Sequence, residues 1–444
     1  MGRPIIRVAA GLAAAAACAC AFASGAFAGG PQPFDATSAS LPHLSGPSFA
    51  TPPFALGEVD VSTLGVPASE LASVGLAGAT ATSAGDGPNM FIVDNDRAEC
   101  PNAQFTSIQA AVAAAGPGDS VKVCPGTYTE QVVIGPGKNG LTLFSEVPLA
   151  AVIKAPLVML TPMSIVTVDT ATDVAIRQFT ISGPFVASGC VGFPDRHTGV
   201  RVFNGSATIY GNHITAIHDA SPLNFGCQDG VGVLVGRAIQ GQTGSAVIRQ
   251  NLIDDYQKGG IVIDGSGSYA EIRQNEVVGS GPTPIIAQNG IQIGRDSHAV
   301  VDHNRVTRNA FGVPPVPTDS ADATGILLYN LTGGVQASYN DVYANEDGIL
   351  VATFEGDFHT GSTINVEVSH NDSHDNALDG IVADEDTAEN PIAYNRSFGN
   401  GEFDCADFTT GSHNAPALVA NPWINDQGNT ENRDGLCKKA TVVP

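Results

Sequence analysis

The sequence predicts an all-β solenoid in which the chain winds as a β-helix, and three observations predict it. A two-part phrase recurs seven times between residues 199 and 395. Its first half is a Gly leading alternating apolar residues, beginning at Gly199, Gly230, Gly260, Gly290, Gly325, Gly348 and Gly380. Its second half is an Asn, at Asn212, Asn251, Asn275, Asn304, Asn340, Asn371 and Asn395. Each phrase alternates with period two and carries no helical stripe, so the units are short strands. Successive Gly positions lie 23 to 35 residues apart, which is one supersecondary unit per repeat with insertions of variable length. An Asn at a fixed corner tolerates left-handed geometry, and its amide can bond the Asn of the neighbouring rung. A Gly at the other corner supplies positive φ or close backbone approach.

The elements are expected in this order. Residues 1–28 hold Arg3 and Arg7, an Ala-rich apolar run and Ala26-Phe27-Ala28, the pattern of a cleaved secretory signal peptide. Residues 29–88 are rich in Pro, Ala, Ser and Gly without periodicity, a disordered linker with too little apolar surface to offset its ordering entropy. Residues 89–437 are the solenoid with its caps, and 438–444 a tail. Phe105 to Val112 reads as a short amphipathic helix preceding the strands. The mature protein is then secreted, extracellular or associated with the cell surface, with no membrane insertion, and a monomer.

The opening of the solenoid carries a resemblance. The helix at Phe105 to Val112, followed by Gly126, Tyr128 and Glu130 in a Gly-x-Tyr-x-Glu strand, resembles the start of the pectin-lyase-like right-handed parallel β-helix proteins. The resemblance covers about residues 91–437 and implies right-handed parallel coils. It implies no single activity, because esterases, lyases, epimerases and non-catalytic repeat proteins share this opening. The motif sets of polygalacturonases, pectin methylesterases and mannuronan epimerases are lacking, which disfavours those three activities.

Six cysteines remain after Cys18 and Cys20 leave with the signal peptide, and an even count in an exported chain predicts disulfides. Fifteen connectivities exist for six cysteines. Sequence order favours the local pairs Cys100 with Cys124, Cys190 with Cys227, and Cys405 with Cys437. No Cys-x-x-Cys spacing points to zinc.

The formal charge is −24, from 20 Lys and Arg against 44 Asp and Glu, so nucleic acid is excluded as a partner. Between Ala310 and Tyr394 there are fifteen acidic residues and no Lys or Arg. These acids either solvate the surface or, where rungs stack them, offer oxygen ligands to Ca²⁺; Asp347, Asp379 and Asp357 are the candidate metal set. Asp347 and Asp379, with Glu346, also have the rung spacing of a glycosidase carboxylate pair.

Insertions precede the strand in several coils, at Gly183 to Thr198, Asp219 to Asp229, Ser280 to Asn289 and Ala310 to Thr324. Leaving from one edge, they would wall a groove suited to an extended polysaccharide. The two residues before each Gly form columns: His197 with Thr198, Gln228 with Asp229, Lys258 with Gly259, and Gln288 with Asn289. With Asp195 and Arg196 nearby, His197, Asp229 and Lys258 are the candidate catalytic residues, a carboxylate, imidazole and cation set. The expected function is action on a polysaccharide, foremost as a lyase. Lys258 or His197 would be the base, and Ca²⁺ on an acid such as Asp229 would offset a uronate's charge. The alternatives are a non-catalytic carbohydrate-binding or cell-surface repeat protein, and a glycoside hydrolase.

Overall fold

In the computed structural model the described residues are 88–187, 189–190, 196–312, 323–354 and 361–439. The signal peptide assigned to residues 1–28 and all but the last residue of the linker assigned to 29–88 lie outside them. From Met90–Val93 onward the chain winds through three parallel sheets of twelve, ten and twelve strands, each strand pairing with its counterpart one coil away. A typical coil runs Thr198–Phe203, Ser206–Tyr210 and His213–Thr215, and the next Val231–Val235, Ser245–Arg249 and Leu252–Asp254. The register stacks like on like. Val200, Val233, Ile261, Ile291, Ile326, Ile349 and Ile381 form one continuous interior row, fully buried in the core. No helix among the described residues is long and apolar enough to cross a membrane.

The start of the solenoid explains the Gly-x-Tyr-x-Glu motif. The helix spans Ile108–Ala114, beginning three residues later than expected, with Ser107 as its N-cap. Glu130 accepts from the amides of Ile108 and Gln109 and from the Ser107 hydroxyl, at 2.8 to 2.9 Å. A carboxylate on the helix N-terminus satisfies orphan donors and complements the macrodipole. Tyr128 donates its phenol to the Cys124 carbonyl at 2.9 Å, pinning this cap to the first coils.

All seven predicted Asn residues form one buried ladder. Each donates its backbone amide and its Nδ2 to the Oδ1 of the next, from Asn212 through Asn251, Asn275, Asn304, Asn340 and Asn371 to Asn395, at 2.9 to 3.1 Å. The last rung donates to a carboxylate, Asp426 Oδ1. A second ladder runs Asn309, Asn345, Asn376, Asn400 and ends on Asp404. The Gly column acts by close approach: a Cβ at Gly199 would lie 2.7 Å from the Gly232 carbonyl. The disulfides are Cys100–Cys124, Cys190–Cys227 and Cys405–Cys437.

Burial pushes the Asp426 carboxyl up to about 6, against the pull of its amide donors. A pKa raised on folding contributes stability below the unfolded value of about 3.9 that is lost as pH rises through about 6. Asp426→Asn is therefore expected to gain on the wild type between pH 4 and pH 7, by about 2 kcal/mol. Denaturant unfolding of both proteins at the two pH values measures it; a difference independent of pH would remove the carboxyl from the account.

Candidate functional site

The ten-stranded sheet carries the candidate site, and its register corrects one sequence alignment. Thr198 pairs with Val231, Val231 with Gly259, Gly259 with Asn289, and Asn289 with Thr324. Gly232, not Gly230, thus falls in line with Gly199 and Gly260. The segment Gly230-Val231-Gly232-Val233 offers the Gly-apolar phrase in two phases. The register selects the second, and Gly232 shares the close approach of its column: a Cβ there would meet the Gly260 carbonyl at 2.6 Å. Gln228 and Asp229 consequently sit outside the column, and Gly230 and Val231 occupy it.

Asp229 still reaches His197. Its Oδ2 lies 2.6 Å from His197 Nδ1, and its Oδ1 accepts from the amides of His197 and Gly230 at 2.6 and 2.9 Å. The imidazole stacks on Phe185 with centroids 4.0 Å apart, and both partners of the pair are buried. The Cys190–Cys227 disulfide joins the two loops that lead into this pair. Such a carboxylate fixes the ring's orientation and tautomer and leaves Nε2 as the working nitrogen. His218 stands in the adjacent loop with Nε2 3.4 Å from Asp255, and that carboxylate raises its pKa.

Arg196 and Lys258 belong to a different group, on the outer face of the same sheet. Along Thr198–Phe203, Val200 and Val202 point into the core, so Arg201 points outward. On this face Arg237 donates to Asp264 Oδ2 at 3.0 Å and Arg295 to Asp264 Oδ1 at 2.8 Å. Arg201 donates to Gln240 and, at 2.8 Å, to Gln242. Arg295 lies over the Tyr329 ring, whose hydroxyl accepts from Gln292 at 3.2 Å. Although burial pushes Asp264 up, the Arg295 and Arg237 cations hold its carboxyl below the usual range. Burial and the Arg237 cation lower Arg196 to about 10. Lys258, half-buried, is lowered to about 7 by burial and by the Arg196 cation, with Nζ 2.5 Å from the Ala287 carbonyl.

Thr167 Oγ1, Arg196 Nε, Asn289 Oδ1 and Thr324 Oγ1, on this sheet's outer face or bordering it, are buried without a hydrogen-bond partner among the described residues. Unsatisfied buried groups are rare in folded proteins and each calls for a ligand, a water or a strained state. Sequence reasoning missed Arg201, Arg237 and Arg295 as members of the site. They come from a strand centre, a loop and a strand end, and no repeat phase aligns them.

Of the acidic candidates, Glu346 Oε2 accepts from the amides of Phe311 and Ala323 at 2.8 and 3.0 Å. Asp379 Oδ1 accepts from the Phe403 amide at 2.9 Å, and Asp347 Oδ1 from the Asp379 amide at 3.2 Å. Glu346 thus ties the two ends of the Ala310 to Thr324 insertion together, and Asp347 and Asp379 tie neighbouring coils to each other. Among the described residues, no cluster of three metal-ligating side chains includes Asp347 or Asp379. Asp195 and Asp357 lie outside the described residues.

Residues 237–418 match the family model described as right handed beta helix region. The chain has the right-handed parallel β-helix fold. Solved structures similar to this β-helix include pectate lyase Pel9A, with 14% identity over 80% of this chain and 82% of that one, at a TM-score of 0.47. The Azotobacter vinelandii mannuronan C-5 epimerase AlgE6 A-module has 14% identity over 75% of this chain and 86% of that one, at a TM-score of 0.42. The Dettilon tailspike protein has 14% identity over 73% of this chain and 59% of that one, at a TM-score of 0.45. Among curated proteins no sequence matches. At these identities the likeness concerns the fold alone.

Proposed function

We propose that the outer face of the ten-stranded sheet binds an anionic, hydroxyl-rich polymer, a uronate polysaccharide, and cleaves it by β-elimination. The observation that carries this reading is the gathering of Arg196, Arg201, Arg237, Lys258 and Arg295 on or beside one sheet face, in a chain of formal charge −24. Asp264 meets Arg237 and Arg295 here, and Arg196, Arg201 and Lys258 add positive charge around that pair, a setting that favours an anion. Thr167, Asn289, Thr324 and Arg196 add polar atoms to the layer beneath this face.

In this reading the arginines take over the charge-offsetting part that the sequence assigned to Ca²⁺. Lys258, lowered to about 7, is partly neutral at physiological pH. Its amine takes the C5 proton, the C5–H pair forms the C4–C5 double bond, and the C4–O bond breaks toward the leaving sugar, whose oxygen takes a proton from water or from the lysine ammonium. His197, held by Asp229, is a second proton carrier at the same edge of the sheet.

The test is incubation of the mature protein with polygalacturonate, alginate and neutral glucans, with Ca²⁺ and then with chelator. Absorbance of the unsaturated product and new reducing ends are followed together. A rise in both on a uronate polymer supports the lyase, and its survival in chelator supports arginines in place of metal. Reducing ends without absorbance would mean hydrolysis. Silence in folded protein that still binds the polymer would mean a non-catalytic binding module.

A further inference from the structure

A row of aromatic side chains lies on the outside corner that precedes the first Asn ladder. His303 stacks on Tyr339, Tyr339 on His370, and His370 on Tyr394, with centroids 5.1, 4.9 and 5.2 Å apart and planes within 20°. Each residue is in the left-handed region, at φ between 54° and 58°. Tyr339 and Tyr394 are 51% and 52% exposed, and the His303 side chain 58%.

The fold does not require rings here. The same corner is Gln178, Gly211, Gln250 and Gln274 in the preceding coils and Asn425 in the following one, all at positive φ. Each of these residues that precedes the ladder residue donates its amide to the next rung in the same way as the four aromatics, as Gln274 does to Asp302 and His370 to Ala393. Left-handed geometry is adopted readily by Gly and Asn and at a cost by bulky side chains. Four consecutive coils have replaced cheap residues by large, half-exposed rings. Ring-on-ring contact offsets part of that cost, but leaves a line of hydroxyl and imidazole edges facing water.

Charge selects what such a line can hold. The neighbouring carboxylates outnumber the arginines: Asp302 shares Arg273 with Glu271 and also meets His303, Asp341 meets Arg305 and His374, Asp372 meets Arg396, and Glu367 accepts from Gln336 and Ser369. The corner therefore leans acidic, in contrast to the cation-rich sheet face, and repels a polyanion. A rigid amphipathic row with one polar tip per rung suits a ligand that repeats hydroxyl groups along an extended chain. We infer that the His303–Tyr339–His370–Tyr394 row is a binding site for a neutral glycan chain, separate from the sheet face and independent of the activity assigned to it.

The test is retention of the full mature protein on microcrystalline cellulose, chitin and insoluble β-1,3-glucan, compared with Tyr339→Gln/His370→Gln/Tyr394→Gln, which restores the residue used at this corner in other coils. Tyr394→Asn, copying Asn425, is the milder companion should the triple variant melt early. The wild type is expected to be retained on at least one of these glycans. The triple variant should bind at least tenfold more weakly and Tyr394→Asn severalfold, with turnover on soluble uronate polymer or its absence unaltered. Failure of the wild type to bind any of the three, or equal binding by the variants, overturns the inference. So does a loss confined to self-association in sedimentation, which would make the row a contact between copies of the chain. Because the sheet-face residues are untouched, failure here leaves the lyase reading standing, and the converse also holds.

Discussion

Lys258→Met is expected to abolish elimination from a uronate polymer, lowering turnover by about 10²- to 10⁴-fold, the usual contribution of a positioned base. Affinity for the polymer and the melting temperature should change little, since Lys258 is half-buried and its one described hydrogen bond is to the Ala287 carbonyl. Lys258→Arg should fare no better at neutral pH: it keeps the charge, but a guanidinium does not deprotonate in this range. The pH profile gives the sign. A base must be neutral, so activity should rise with pH through about 7 and level off above it. Weakening the neighbouring cation by Arg196→Gln should move that midpoint upward, because the Arg196 charge helps to hold the lysine down. Initial rates of absorbance increase between pH 5 and 9 read both effects. A Lys258→Met protein of undiminished activity would transfer the base to His197 or remove the lyase reading.

Asn340→Ala is expected to be the most damaging single change in the coils away from the site. The amide group of Asn340 accepts two bonds from Asn304 and donates to Asn371 and to the Val301 carbonyl, all in the buried interior. Truncation leaves the Asn304 donors and the Val301 carbonyl without partners where water does not reach. One buried unsatisfied group costs about 1 to 3 kcal/mol, so a loss of roughly 3 to 5 kcal/mol is expected. Denaturant unfolding measures it, with Asn102→Ala, at an exposed position, as the comparison. A loss below about 1 kcal/mol would mean that the ladder tolerates a gap by rearrangement.

The coil architecture was legible because its residues repeat in step with the structure. The Asn ladder could be read from spacing alone, since each member occupies the same corner and has no alternative role there. The second ladder was equally open to reading and was overlooked: Asn309, Asn345, Asn376 and Asn400 each follow a first-ladder Asn by five residues. The Gly230 coil falls out of line because two glycines offer the same phrase and only the pairing register, with Val231 opposite Thr198 and Gly259, distinguishes them. The site was half legible. His197 with Asp229, and Arg196 with Lys258, are brought together as pairs, yet the two pairs belong to different surroundings. The cation face escaped because Arg201, Arg237 and Arg295 stand at unrelated positions in their coils, and no periodic signal links residues that meet only through stacking.

The direction of the Asn ladder bears on how a protein of this kind can grow. Every interior Asn receives two donors from one side and passes two on to the other, so a whole coil duplicated or excised between Asn251 and Asn395 leaves no donor or acceptor over. The last coil has no such freedom. The side chains of Asp426 and Asp404 only receive, since a carboxylate has no amide hydrogens to hand onward. Lengthening by tandem duplication is thus open in the middle of the chain and closed at its C-terminal end, where the two aspartates serve as terminators of the repeat.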